Sequence, residues 1–232
     1  MVVAGNMESN DLNQFHKKNY SIQFYMRTLL IAILLFCVCP QSYSQYFPVD
    51  TARLNKTFAA LTTGPNTPEN QKAFLDAFPS TFSEFMMVYQ FVPDPKYNLA
   101  MYYKADKHIL EGLGKLSLIP DTTYCDKLIN LSINGRWGAD APNYLKMVLH
   151  NTMQARHNVM FKCLTGKIPG QQFSFWYFYF NSLYVKKDGI ADYQQLRKLM
   201  NSTYPALVPE FDAAYLASYG KAFIRDDFPH IH

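Results

Sequence analysis

Histidine, cysteine and carboxylate positions set what chemistry this chain can do, and they are sparse. His150 and His157 stand seven apart, so one continuous helix puts them on a common face. Two turns separate them by about 10.5 Å, too far for both to hold one zinc ion at about 2 Å. His108 and Glu111 are three apart and could share a metal, but no third ligand accompanies them. His230 and His232 suit only adventitious metal binding in vitro. Cys125 and Cys163 are not in a CxxC arrangement, so neither a structural zinc site nor a thioredoxin-type redox site is indicated. A Cys–His pair of either with His150 or His157 has no local support.

Hydrolytic signatures are equally thin. The chain has no GxSxG elbow. A triad assembled from distant residues remains the way a hydrolase could be built here. Glycoside cleavage needs two carboxyl groups across a cleft; Glu84, Glu111 and Glu210 are the glutamates read as helical, and nothing selects a pair. No catalytic residue, metal ligand set or cofactor is therefore assigned.

Binding chemistry offers one sharper candidate. Gly135-Arg136-Trp137-Gly138-Ala139-Asp140 places arginine and tryptophan together on a predicted inter-helix loop. Those two residue types recur as interface anchors, and loops carry function more often than packed helices do. Arg136, Trp137 and Asp140 are the candidate partner-binding residues. The plain alternative has Trp137 tucked under a helix pair and Asp140 capping the next helix. The aromatic run Phe173–Val185, with Met86, Met87, Met101 and Met153, could instead line an apolar-ligand pocket. A packed core uses the same residues, and outward tyrosines could stack on sugars.

The compartment is read from the start of the chain. Arg27 precedes the apolar run Leu29–Cys39, Pro40 breaks it, and Ser42-Tyr43-Ser44 follows. Positive start, short apolar core and small residues at −3 and −1 are the parts of a cleavable export signal. Eleven apolar residues rise only about 16 Å as a helix, against roughly 30 Å of hydrocarbon, so an uncleaved anchor is the weaker reading. Signal peptide 26–44 with cleavage after Ser44 is expected, giving a secreted or periplasmic product that meets the membrane only through that segment. Residues 1–25 are polar and rich in Asn, and Met26 makes a natural first residue, so they are read as a non-native or disordered extension.

The 188 residues from Gln45 are enough for one domain with a real core. Lys17, Lys18 and Arg27 against Glu8 and Asp11 leave with the first 44 residues, so 19 basic and 16 acidic residues remain of 22 and 18. A net charge of +3 spread along the chain argues against a nucleic-acid surface. In an oxidising compartment the remaining cysteines, Cys125 and Cys163, could form a disulfide; two buried free thiols are the alternative.

Helical signals position these candidates. Thr67-Pro68-Glu69 opens a helix that Pro79 ends; Ser80 or Thr81 caps the next, which stops by Pro93. Further helices are predicted over 98–113, from Asp121 to the Asn134-Gly135 turn, from Asp140 to as far as Leu164, and over 172–185, 190–201 and 205–219, with a frayed tail from about 220. In the aromatic run, Phe173, Trp176, Tyr177, Phe180 and Tyr184 fall on one helical face and Phe175, Phe178 and Tyr179 on another. That makes it a central helix, with a buried strand as the alternative. The fold class is all-α: one domain, 45–232, of about eight short helices packed as helical hairpins, with a short irregular solenoid as the variant.

Two resemblances add to this. Residues 127–149, with Leu and Ile at spacings of three and four around Asn-Gly, resemble one HEAT- or armadillo-type helix pair, though no second copy follows at a fixed period. The chain from Gln45 also looks similar to uncharacterised exported helical proteins of bacteria through AFP-x-TF-x-EF (Ala77–Phe85) and Gly-x-Trp-x-Ala-Asp-Ala (Gly135–Ala141). That resemblance implies an all-helical exported domain and brings no activity. The expectation is a non-enzymatic exported protein that binds a protein partner in the envelope, not nucleic acid. A cell-envelope hydrolase or an apolar-ligand or lipid carrier are the alternatives.

Overall fold

The computed structural model describes residues 49–91, 101–136, 140–181 and 186–219. The segment read from sequence as an export signal, Trp137, Tyr184, Pro93 and the tail from 220 lie outside the described residues. Their regular structure is all helical, with no strand among the described residues. No helix among them is long and apolar enough to cross a membrane.

Helix α1 (Thr51–Thr63) was not foreseen, because little of it reaches the core: Leu54 is its one fully buried residue. Its start is nonetheless encoded, since the Asp50 carboxylate accepts the Arg53 N–H at 2.9 Å. Helix α2 (Pro68–Ala77) begins as predicted, with Thr67 Oγ1 accepting from Asn70 N and proline at the first turn. Glu69 lies in that turn and is helical too. Helix α3 (Phe82–Tyr89) is capped by Thr81, whose Oγ1 accepts the Glu84 N–H, while Glu84 Oε2 accepts from Ser80 N at 2.7 Å. The AFP-x-TF-x-EF motif thus acquires a physical account. Its three phenylalanines are buried, Thr81 and Glu84 close the helix start, and Lys127 Nζ donates to the carbonyl of Phe78.

The segment predicted as a regular helix over 98–113 differs where it is described. Tyr102–Lys104 is 3-10, Lys107–Gly112 is a π turn and Leu113–Lys115 is 3-10 again. The wider π turn lets His108, Ile109, Gly112 and Leu113 all face inward. Gly112 is required there, because a Cβ would come within 2.6 Å of the Phe74 ring.

Helix α4 (Asp121–Ser132) buries Tyr124, Cys125, Leu128, Ile129 and Leu131. The Asn134-Gly135 turn follows as read, with Asn134 at φ 61°. Helix α5 (Asp140–Thr165) does run past Leu164, but bends at Arg156, whose backbone (φ −137°, ψ 31°) is not helical. Helix α6 (Pro169–Phe180) makes the aromatic run helical as far as Phe180 and is capped by Asn181, short of the predicted end at 185; residues 182–185 lie outside the described residues. Its faces differ from the expectation: Phe175, Trp176, Phe178, Tyr179 and Phe180 are buried, while Phe173 and Tyr177 are only half-buried. The inner surface is thus wider than a single stripe.

Helix α7 (Lys186–Thr203), a 3-10 turn (Pro205–Leu207) and α8 (Val208–Tyr219) complete the body. Helix α6 is its hub and packs against α4, α5 and most extensively α8. There Trp176 meets Phe211 edge-on at 4.7 Å and Phe180 meets Tyr215 at 5.2 Å. Such pairs contribute about 0.5–1.5 kcal/mol each beyond the area they bury.

Candidate functional site

The loop singled out from sequence lies at one end of α5. Arg136 is exposed, residues 137–139 are outside the described set, and Asp140 sits in the first turn of α5, where a carboxylate is favoured by the helix dipole. Asp140 is more than a helix-starting acid, because its Oδ2 accepts a hydrogen bond from Tyr102 OH at 3.3 Å. Tyr102 stands edge-on to both Phe91 and Tyr103, each 5.3 Å away between ring centres. Loss of hydration, then the Asp140 carboxylate, raises the Tyr102 hydroxyl above its ordinary value; the same two causes raise Tyr144.

The result is an aromatic surface open to solvent: Tyr103 is 69 % and Phe91 49 % exposed. Sequence reasoning found Asp140 and missed Phe91, Tyr102 and Tyr103. Tyrosines are common in this chain, and only the contact 38 residues away marks Tyr102 out.

A second polar cluster joins α5, α6 and α7. Asp192 accepts from Tyr179 OH at 2.5 Å and from Gln154 Nε2 at 2.9 Å, and its Oδ2 lies 3.6 Å from His150 Nδ1. The His150 ring stacks on Tyr179 with centres 4.0 Å apart. Burial lowers His150, while the facing Asp192 charge pulls it up. One turn earlier, Lys146 is buried, donates to the Asn181 carbonyl and lies 4.9 Å from the Phe178 ring centre. Burial brings its ammonium down to about 8. Chemically this is a histidine facing a carboxylate at 3.6 Å, longer than a hydrogen bond, with the near Asp192 oxygen already taken by Tyr179 OH.

The other titratable candidates are dispersed. His157 packs on Phe161 and is not brought to His150's partners. His108 is fully buried and within 3.1 Å of Tyr89 OH, while Glu111 is exposed, so the two do not converge. No group of three His, Cys, Asp or Glu fit to hold a metal occurs among the described residues. Cys125 and Cys163 are free thiols. Burial, then the neighbouring Cys163, pushes the Cys125 thiol up to about 12. Cys163 is half-buried, raised first by burial and then by Asp126, and points its Sγ at the Thr122 carbonyl, 3.7 Å away.

Fold and surface together define an all-α domain with an exposed aromatic face and a partly exposed histidine beside a carboxylate. Comparison with protein-family models, with curated proteins and with solved structures found no match.

Proposed function

We propose that this chain is an exported, non-enzymatic helical protein that binds a protein partner of the cell envelope through the surface formed by Phe91, Tyr102, Tyr103, Arg136 and Asp140. The observation that carries the reading is the clustering of three aromatic rings, two of them exposed and the third, Tyr102, bonded to the Asp140 carboxylate. Water gains nothing from such rings, whereas burying one fully against a partner contributes about 1.5–3 kcal/mol. Tyr, Phe and Arg are also the types enriched at interface centres.

A photo-crosslinking amino acid placed at Tyr103, in cells making the full chain, tests this. One discrete adduct is expected from Tyr103 and none from the exposed control position Lys56 on α1. Identical patterns at the two positions would defeat the reading.

A cell-envelope hydrolase is the second reading, and the His150–Asp192 pair supports it. Turnover of ester or glycoside test substrates that disappears in His150→Ala would establish it.

A further inference from the structure

We propose that the cleft between α1, α2 and the π turn binds a small peptide zwitterion, a dipeptide, with its ammonium on Glu111 and its carboxylate on Lys115 and Asn66. The cleft holds about 330 Å³, and Leu61, Asn66, Gln71, Glu111, Gly112 and Lys115 line it. That volume lies at the lower end of the roughly 300–1,000 Å³ usual for small-molecule sites. It shares no residue with the aromatic surface, so it stands or falls separately from that reading.

The polarity of the lining follows from one buried side chain. Gln71 is 1 % exposed, and its Oε1 accepts the backbone N–H groups of both Ser117 and Leu118 at 2.8 Å. Its amide can therefore face only one way, with Nε2 as the donor to Asn66 at 2.7 Å. The Asn66 atom receiving that bond must be Oδ1, which leaves Asn66 Nδ2 as an outward donor. Sequence alone gives no hint of this chain of consequences.

The charges complete the match. Glu111 and Lys115 are exposed, and neither forms an ion pair among the described residues. A simple anion would be repelled by Glu111 and a simple cation by Lys115, whereas a molecule bearing both charges satisfies the pair. Glu111 lies in the π turn and Lys115 closes the 3-10 turn that follows it, four residues on, and both line the cleft. The ends of an extended dipeptide span up to about 7 Å, those of a single amino acid about half as much. Half-buried Leu61 gives an apolar wall for a side chain, and the bare backbone of Gly112 forms part of the floor.

Calorimetric titration of the purified chain with the dipeptide Ala-Leu tests the assignment. Saturable binding is expected with Kd of about 1 mM or tighter. Acetylating the amino end or amidating the carboxyl end should each weaken it about tenfold or more, and free leucine should bind more weakly than the dipeptide. Glu111→Gln should erase the preference for a free amine, and Lys115→Gln the preference for a free carboxylate. Both substitutions are at exposed positions, and circular dichroism verifies that the variants fold. No saturable heat at about 10 mM dipeptide, indifference to capping, or leucine binding as tightly as the dipeptide would each overturn it.

Discussion

His108 makes the chain's stability depend on pH in a way that one substitution isolates. The ring is fully buried in the π turn, with Nδ1 3.1 Å from Tyr89 OH and Nε2 without a partner. A protonated imidazole needs acceptors on both nitrogens, and only one side has a hydrogen-bonding group. Burial, followed by the Lys104 charge, brings His108 down from 6.5 to about 4, with Asp106 opposing weakly.

Between those values the unfolded chain binds the proton and the folded chain does not, so stability falls as pH falls. His108's contribution is complete above pH 6.5, declines by about 1.4 kcal/mol per pH unit, and levels off below pH 4, a loss of about 3 kcal/mol. Urea unfolding of the wild-type chain and His108→Gln, followed at half-unit steps from pH 7.5 to 4, measures it. The stability difference between the two should shift by about 3 kcal/mol in the variant's favour across that range. Taking the difference cancels every other titrating group, His150 included. Parallel curves would show that His108 titrates alike in both states, and the argument from burial would be wrong.

Other consequences can be checked as directly. Gly135→Ala would push a Cβ to 2.4 Å from the Phe178 ring and 2.7 Å from the Ser132 carbonyl, so a loss of about 1–3 kcal/mol is expected in thermal or denaturant unfolding. In the native protein a thiol reagent near pH 8 should label Cys163 well before Cys125, which should react only on unfolding; mass spectrometry of timed digests reads the order. Removal of the Glu84 side chain should cost about 0.5–2 kcal/mol by leaving the Ser80 N–H without its acceptor at the start of α3, seen as a lower denaturant midpoint. N-terminal sequencing of protein recovered outside the cytoplasm should begin at Gln45; a start at Met1 or Met26 would refute the processing read from the leader.

What the sequence disclosed and what it withheld divide along a physical line. Starts and stops of helices are written in local chemistry, so Thr67-Pro68, Thr81, Pro79 and Asn134-Gly135 were all legible. Helix α1 was not, because Leu54 alone gives no apolar stripe and Asp50 is an ordinary acid until its carboxylate is seen on Arg53 N. The π turn was hidden for a different reason. It exists because His108 and Gly112 are pulled onto Tyr89 and Phe74, contacts no local window contains. Both polar clusters also join residues about 40 apart: Tyr102 to Asp140, and Gln154 to Asp192. Spacing found His150 but paired it with His157, a neighbour along the helix; the structure pairs it with Asp192.

The bend in α5 has a consequence for how the helices find their alignment. Leu145, Leu149, Met153, Met160 and Leu164 trace the apolar seam of that helix, and the place where the seam should continue is occupied by Arg156. Its guanidinium reaches Asp121 Oδ1 at 3.0 Å and lies 5.2 Å from the Tyr124 ring centre, both on α4. Leucines and methionines tolerate sliding, since one greasy row fits another at several offsets. A slide of one turn, about 5.4 Å, would strand this cation from both partners. Arg156 therefore works as a registration pin: the apolar seam holds α4 and α5 together, and this cation, with Lys167 on Asp126 just beyond the helix, favours the register in which they do so.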